Sequence, residues 1–383
     1  MIKRFFLLAL VLIAFLIFTP PFIQAKGEIS LLDSATEVNF PDALIFKLEV
    51  SSSTDITKIR LHYQVDRMNY ATVTSEAWPE FTPAPMVETQ WVWDMRKASL
   101  PPGASMKYWW TVEDKAKNIL ITPEKTVCFA DFNHPWQSLA SEQLTLFWYE
   151  GNNSFVQELM AACQQGLEKL AIDTGAHLEK PAKIYIYAST KELQEAMIFP
   201  REWTGGVAYT EFGIIAIGIP PEQLEWGKRT VAHELAHLVI HQLTFSPYAN
   251  LPTWLDEGLA MHAEGEADPY MQAWLRKAIE EDKLISVRSL SSPFSAKPEE
   301  AYISYAQSQS LVEYLIQNYG QDKIFKLLKL FKQGCTYDEA LIEVYGFDAD
   351  GLDARWRASI TNQNQAFWQK VLTEILVSPV GVC

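Results

Sequence analysis

The chain has 383 residues, of which 48% are hydrophobic, 13% aromatic and 21% charged, and its formal net charge at pH 7 is −15. The hydrophobic content excludes a disordered chain, and the strong negative charge argues against a nucleic-acid partner. Because a single core rarely grows beyond about 250 to 300 residues, the length predicts more than one folding unit.

The first residues have the pattern of a targeting segment. Lys3 and Arg4 precede an unbroken apolar run over residues 5–18, which ends before Pro20. This run is shorter than the ~20 residues that a membrane-spanning helix needs, so residues 1–25 are predicted to be a cleaved signal peptide. A membrane anchor retained through residues 5–18 is the alternative. In both cases we expect an exported, extracytoplasmic protein, either secreted or anchored by its N-terminus.

Residues 28–131 are predicted to form an N-terminal all-β sandwich, because short β-rich runs alternate with turn residues. Ile59, Leu61 and Tyr63 alternate with polar residues, as in a strand with one buried face. The predicted strands are 43–51, 56–65, 91–95, 106–113 and 126–130. The stretch 107–114 resembles the late strands of immunoglobulin-like or fibronectin type III modules, at the level of the fold.

Two residue types in the chain are interpreted as structural or left open. Four tryptophans are predicted to pack in the sandwich core, although such residues also bind glycans or peptides: Trp91, Trp93, Trp109 and Trp110. The cysteines have no C-x-x-C spacing, so neither a metal cluster nor a thioredoxin-type motif is indicated, and their pairing stays open. They are Cys128, Cys163, Cys335 and Cys383.

The remainder of the chain mixes strands and helices. Residues 132–142 are predicted to be a linker, residues 143–290 a second domain, and residues 291–383 the C-terminal helical part of the same unit. Hydrophobic periodicity predicts strands at 144–149, 182–188 and 212–219, and helices at 155–172, 191–197, 228–243, 271–281, 302–319, 321–331 and 337–345.

The predicted helix 228–243 contains an H-E-x-x-H motif formed by His233, Glu234 and His237. One helical turn is about 3.6 residues, so the two imidazoles share a face and can converge on one metal ion. Glu234 lies beside that pair, where it can act as general base toward a zinc-activated water. The flanking residues are apolar, which predicts a buried helix whose polar groups need partners.

A hydrolytic zinc site needs one more protein ligand, because the fourth position is kept for water. Glu257 is the candidate, since it follows the first helix after the break at Pro252. His241 is the rival, but it lies about 80° around the helix from His233, and no glycine redirects it. We therefore expect His241 to have a capping or packing role. His262 is likewise expected to be a packing residue.

The H-E-L-A-H motif followed by W-L-x-E-G-L-A resembles the gluzincin clan of the peptidase MA families, over about residues 205–264. This resemblance implies an α+β fold with a thermolysin-like (zincin) catalytic domain. It implies that His233, His237 and Glu257 hold Zn²⁺ and that Glu234 is the catalytic base.

The same resemblance raises three finer expectations. Thermolysin has an aspartate four residues beyond its glutamate ligand, whereas this chain has Met261, so Asp256 or Glu264 is expected to orient a histidine instead. Independently of the resemblance, the charge pattern of the acidic segment 264–268 as a whole is interpreted as that of a solvated loop. A tyrosine that stabilises the oxyanion is expected at Tyr305, in preference to Tyr302. Gly213–Ile219 is expected to be the edge strand that binds an extended substrate.

Together these observations predict an exported zinc-dependent peptidase that acts on a peptide or protein substrate. The residues predicted to do so are His233, Glu234, His237, Glu257 and Tyr305. The alternative is a catalytically silent peptidase fold that presents a peptide groove to a partner.

Overall fold

The structure is a computed structural model and describes residues 28–200, 204–248 and 250–361. The predicted signal peptide or anchor and the last part of the predicted C-terminal helical segment lie outside these residues. Within the described ranges, none of the helices combines the length and the apolar character needed to cross a bilayer. Cys128, Cys163 and Cys335 are free thiols among the described residues.

The N-terminal part contains two antiparallel sheets, here called the two-sheet region (residues 28–131). Its strands are β1 (Ser30–Asn39), β2 (Ala43–Ser51), β3 (Ile56–Val65), β4 (Ser75–Ala77), β5 (Met86–Asp94), β6 (Ala104–Asp114), β7 (Ile119–Ile121) and β8 (Lys125–Phe129). One sheet has the order β1-β2-β5, and the other has the order β4-β3-β6-β7 with β8 beside β6. The sheets pack face to face, and the Phe46 and Tyr108 ring centroids are 5.1 Å apart.

The prediction that four tryptophans pack in the sandwich core is fully correct for only one of them. Trp110 is completely buried, whereas Trp91 and Trp93 are half-buried. Trp109 is on the outer face and stacks on His62 with a centroid distance of 5.2 Å. The two neighbours differ because successive side chains of a strand point to opposite faces.

The rest of the described chain, residues 137–361, is here called the α/β region. Its strands are β9 (Gln137–Ser141), β10 (Leu144–Trp148), β11 (Ala182–Tyr187), β12 (Gly206–Tyr209) and β13 (Ile214–Gly218). They form one sheet in the order β12-β13-β11-β10-β9, with β12 and β9 antiparallel to their neighbours. Two expectations are corrected here: part of the predicted linker forms β9, and the segment 213–219 is an internal strand, because β12 occupies the edge.

The helices of this region pack mainly on one face of its sheet. They are α1 (Asn153–Thr174), α2 (Thr190–Glu195), α3 (Leu224–Thr244), α4 (Thr253–Ala263), α5 (Pro269–Glu280), α6 (Val287–Leu290), α7 (Pro298–Tyr319), α8 (Gln321–Lys332) and α9 (Tyr337–Tyr345), followed by helical residues 349–361. The chain is thus an α+β protein with a β-rich N-terminal region and a helical C-terminal part, as predicted.

Close contact between α4 and α7 depends on a glycine. A Cβ atom at Gly258 would lie 2.4 Å from the backbone oxygen of Ser308 and 2.7 Å from Val312 Cγ2. Backbone cannot move aside as a flexible side chain can, so this position requires glycine. The residue before it in the sequence is Glu257, and the contact therefore fixes where that carboxylate is placed.

The two-sheet region and the α/β region share one hydrophobic core. Tyr185 and Tyr187 of β11 are buried against residues of the two-sheet region. Gly103 lies in the tight turn before β6 at φ +77°, and a Cβ there would come within 1.9 Å of the Tyr185 hydroxyl oxygen. The two regions therefore meet through direct backbone-to-ring contact.

Candidate metal centre

Helix α3 brings His233 and His237 together from successive turns. Their Nε2 atoms are 3.1 Å apart, and only 15% and 14% of the two side chains is exposed. The helix is buried because its apolar residues, including Val231 and Leu235, pack into the core beneath the sheet. The H-E-x-x-H spacing thus places both imidazoles on one face, as the sequence predicts.

Helix α4 supplies the third predicted metal-binding residue. Glu257 Oε2 lies 3.4 Å from His233 Nε2 and 3.5 Å from His237 Nε2. This oxygen is buried and has no hydrogen-bond partner among the described residues. One ligand atom from each of the three residues lies within 4.8 Å of the others, so the group could hold a metal ion.

The donor set fits a divalent cation on chemical grounds. A buried carboxylate oxygen without a partner has a free-energy cost that a hydrogen bond or an ion normally removes. Here that oxygen faces two imidazole nitrogens whose lone pairs can be directed to the same point. Two histidines and one glutamate are a donor set that binds metal and leaves a coordination position open.

Outer carboxylates hold each imidazole in a fixed orientation. Glu264 Oε1 is 2.8 Å from His233 Nδ1, and Asp256 Oδ1 is 3.0 Å from His237 Nδ1. A carboxylate at Nδ1 keeps the proton on that nitrogen and leaves Nε2 free to bind metal. The sequence offered Asp256 or Glu264 as alternatives, and the structure uses both, one for each histidine. Glu264 is only 13% exposed, so interpreting its segment as solvated was wrong at this residue.

Arg229 is a member of this cluster that sequence reasoning missed. Its Nε and terminal nitrogen lie 3.2 and 3.0 Å from Glu264 Oε2, which fixes the carboxylate that contacts His233. The available signal was spacing, because Arg229 is four residues before His233 and therefore on the same helix face.

His241 has a structural contact in the described residues. Its Nε2 is 2.9 Å from Asp256 Oδ2, and 40% of its side chain is exposed. His237, His241 and Asp256 form a second group close enough to hold a metal ion. Both oxygens of this carboxylate already have hydrogen-bond partners, in contrast to the unpartnered oxygen of Glu257. His262, which was expected to be a packing residue, also has a structural contact, because its Nε2 is 2.8 Å from an Asp173 carboxylate oxygen.

The carboxylates around the imidazoles determine the electrostatics of the centre. Burial lowers the pKa of His233, but the neighbouring carboxylates of Glu257 and Glu264 outweigh it and raise that pKa to about 9. Burial raises the pKa of Glu257, but the two neighbouring imidazoles outweigh it and lower that pKa to about 2. The centre therefore concentrates negative charge where a cation would lie.

Glu234 is placed between the imidazoles and the edge strand β12. Burial raises its pKa, partly offset by the charges of His233 and His237 and by the backbone amide of Ala208. A Cβ at Gly206 would lie 2.9 Å from Glu234 Oε1, so a glycine on the strand leaves room for the carboxylate.

The backbone of β12 directs some of its groups to its free edge, where the Ala208 amide already interacts with the Glu234 carboxylate. The Gly218 amide donates to the Gly205 carbonyl at 3.0 Å, and antiparallel ladders alternate bonded and non-bonded pairs. Gly206 and Ala208 therefore direct their backbone groups away from β13 and toward the side where Glu234 lies. This short edge strand was missed in the sequence because it has only four residues.

The two candidate tyrosines on α7 have different surroundings. Burial is the main cause that raises the pKa of Tyr305, and the charges of Glu257 and Glu234 add to it. Tyr302 instead stacks on Trp274 at a centroid distance of 5.6 Å.

Comparison with known proteins assigns the family. The chain belongs to the Peptidase MA superfamily, whose family model matches residues 162–362, just over half of the chain. This membership indicates a peptidase-type domain. No curated protein matches the sequence.

Three solved structures that match this chain have low similarity to it. BhCBM56 is 13% identical, and the match covers 25% of this chain and 88% of that chain at a TM-score of 0.19. Wild-type OgpA from Akkermansia muciniphila is 12% identical, with 28% of this chain and 29% of that chain covered at a TM-score of 0.22. BC0361, a polysaccharide deacetylase from Bacillus cereus, is 10% identical, with 46% and 57% covered at a TM-score of 0.18. Scores this low assign neither fold nor function.

Proposed function

We propose that this protein is a zinc-dependent peptidase of the gluzincin type with a thermolysin-like (zincin) catalytic domain. His233, His237 and Glu257 are its zinc ligands. The observation that supports this most directly is the buried Oε2 of Glu257, which has no hydrogen-bond partner among the described residues and faces two imidazole Nε2 atoms. Carboxylates at both Nδ1 atoms add support, because metal-binding histidines usually have such partners.

Zinc, when bound, supplies a Lewis acid and lowers the pKa of water to about 7. The protein's own groups do the rest. The Glu234 carboxylate takes a proton from the attacking water as the water oxygen bonds to the scissile carbonyl carbon. The same carboxylate then gives that proton to the leaving amine nitrogen as the carbon–nitrogen bond breaks. A carboxylate whose pKa is raised by burial holds such a transferred proton more readily.

Tyr305 stabilises the negative charge that develops on the carbonyl oxygen. Its pKa is raised by burial and by Glu257 and Glu234, so the phenol keeps its proton and remains a hydrogen-bond donor. Removal of one such donor typically lowers turnover by about 10²- to 10³-fold.

The substrate is an extended peptide or protein segment that pairs with the free edge of β12. Gly206 and Ala208 direct backbone groups toward this edge, and main-chain pairing suits a peptide better than a small ester. We further propose that the protein acts outside the cytoplasm, because residues 1–25 have the pattern of a signal peptide or an N-terminal anchor.

The test combines zinc content with cleavage of a peptide library by wild type and Glu234→Gln. Wild type is expected to contain one zinc ion per chain and to cleave peptides, and Glu234→Gln to retain zinc while cleaving about 10² to 10⁴ times more slowly. Glu225→Gln is the matched control, because Glu225 is on the same helix with a side chain that is 84% exposed.

Two results would contradict the proposal. One is purified wild type that takes up no zinc. The other is zinc-loaded wild type that binds peptides without cleaving them, which would identify a catalytically silent binding module instead.

A further inference from the structure

A cavity of about 350 Å³ lies where the two-sheet region meets the end of helix α3. Both regions line it: Arg67, Asn69 and Tyr70 come from the loop between β3 and β4, and Thr210, Glu211 and His241 come from the α/β region. None of these residues takes part in the mechanism described above.

The β3–β4 loop (residues 66–74) is fixed against the α/β region. The Met68 amide donates to the Glu211 carbonyl at 2.7 Å, and Arg67 forms an ion pair with the Glu211 side chain at 3.3 Å. The Tyr70 ring stacks on Phe245, just beyond α3, with centroids 4.3 Å apart. The loop therefore forms one wall of the cavity. Its contacts with the α/β region, which forms the other wall, hold it in place.

The position of the cavity relative to the catalytic centre follows from two elements. Thr210 directly follows β12, which ends at Tyr209, so it is two residues beyond Ala208 and separated from it by up to about 7 Å at ~3.3 Å per residue. His241 is one helical turn, about 5.4 Å, beyond His237. Since a bound extended peptide also advances ~3.3 Å per residue, both elements place the cavity about two residues from the scissile bond.

We propose that this cavity is a substrate subsite built jointly by the two regions and that it binds a long, neutral, hydrogen-bonding side chain such as glutamine. The inference rests on the proposed peptidase function. Asn69 and Thr210 provide neutral donors and acceptors, and Arg67 and Glu211 neutralise each other, so the site does not select for charge. The two-sheet region therefore takes part in substrate selection.

The experiment compares matched peptides with glutamine or methionine, which are equally long, at positions two and three residues on either side of the cleaved bond. Wild type is expected to prefer glutamine at one of these positions, by the ratio of kcat/KM values. Thr210→Val should lower this ratio roughly 2- to 13-fold, the effect of one lost hydrogen bond. Tyr70→Ala should lower it as well, because water then competes for the bonds made in the cavity.

Val73→Ala is the matched control, because Val73 is an exposed residue of the same loop and does not line this cavity. Zinc content and circular dichroism establish that each variant is folded, and Thr210→Val is sufficient if Tyr70→Ala does not fold. A lowered ratio at the same peptide position in the folded variants, with no change in Val73→Ala, supports the subsite.

The remaining outcomes overturn it in distinguishable ways. Cleavage by wild type without a glutamine preference at these positions, or a folded variant with the wild-type ratio, overturns the subsite and leaves the peptidase function intact. Zinc-loaded wild type that cleaves none of the peptides overturns the peptidase function, and the subsite with it.

Discussion

Strand β11 of the α/β sheet has different kinds of residue on its two faces. Along β11, Ile184 and Ile186 point to the helices, whereas Tyr185 and Tyr187 point to the two-sheet region. The helix face is aliphatic and covers the helix that contains the candidate metal centre. The other face is aromatic, with hydroxyl groups that need directed partners. Apolar packing tolerates sliding, but hydrogen bonds do not, so the two-sheet face fixes an orientation.

The contacts on the aromatic face are specific. The Tyr187 hydroxyl donates to Asp131 at 3.2 Å, and the backbone amide of Ala188 donates to the Tyr149 hydroxyl at 3.0 Å. Trp136 packs edge-on against Tyr187 with centroids 5.1 Å apart. Because the Tyr187–Asp131 hydrogen bond joins the two regions, changes on this face should affect stability, while changes around α3 and α4 should affect catalysis. The predictions below test that division.

The largest effect is expected for Glu257→Ala, because it removes the proposed third ligand. Zinc affinity should fall more than 100-fold, beyond the range typical of outer-shell changes, and peptide cleavage should be lost. Chelation of wild type should have the same effect on cleavage, and added zinc should restore wild type only. Zinc retention by Glu257→Ala, measured by metal analysis after dialysis, would contradict the assignment.

Tyr305→Phe should lower kcat about 10²- to 10³-fold and leave zinc content and the unfolding temperature unchanged. The physical reason is the loss of one hydrogen-bond donor to the developing oxyanion. Steady-state kinetics on one peptide measures it, with Tyr302→Phe as the control. Equal effects of the two substitutions would remove the basis for choosing Tyr305.

Asp256→Asn and Glu264→Gln should each weaken zinc binding or activity about 10- to 100-fold, because each imidazole loses the carboxylate at its Nδ1. Competition with a zinc-binding dye measures the affinity. Asp268→Asn is the control, since Asp268 is 3.9 Å from Arg229 and 43% exposed. Unchanged affinity in both outer-shell variants would show that the imidazoles need no such support.

Tyr187→Phe should lower stability without changing catalysis, in contrast to the substitutions around the candidate centre. It leaves an oxygen of the buried Asp131 without this donor, so the free energy of unfolding should fall by about 1 to 3 kcal/mol, while kcat/KM and zinc content stay unchanged. Tyr345→Phe is a matched control, because the buried hydroxyl of Tyr345 has no partner among the described residues. Urea unfolding compares the stabilities of Tyr187→Phe and Tyr345→Phe. A loss of activity in Tyr187→Phe would contradict the expectation that this face affects stability and not catalysis.

Regular periodicity made much of the fold predictable from sequence. The predicted strands 43–51 and 56–65 match β2 and β3, and the predicted helix 337–345 matches α9. Strand β1 was missed because its exposed and buried residues do not alternate cleanly and its register shifts between Leu31 and Asp33. Strand β9 was missed because its polar composition is typical of a linker.

The candidate centre was predictable where spacing within one helix determines geometry. His233 and His237 converge because they are one turn apart, whatever the rest of the fold does. The pairing of Glu264 with His233 depends on how α4 ends beside α3, which no local pattern encodes. The proposed contribution of Tyr70 to a subsite depends on a contact between the two-sheet region and the α/β region. No local pattern in the sequence indicates that contact.

Because glycine has no side chain, Gly258 lets α4 pack closely on α7. This contact separates the candidate centre into two mechanical units. Backbone contact at that residue joins α4 to α7, so Glu257 and the phenol of Tyr305 belong to one stiff unit. The imidazoles and Glu234 belong to another unit, helix α3 under the sheet. A cation bound by both units would act as a cross-link between them, so metal loading would restrain the motion of one relative to the other more than the internal motion of either.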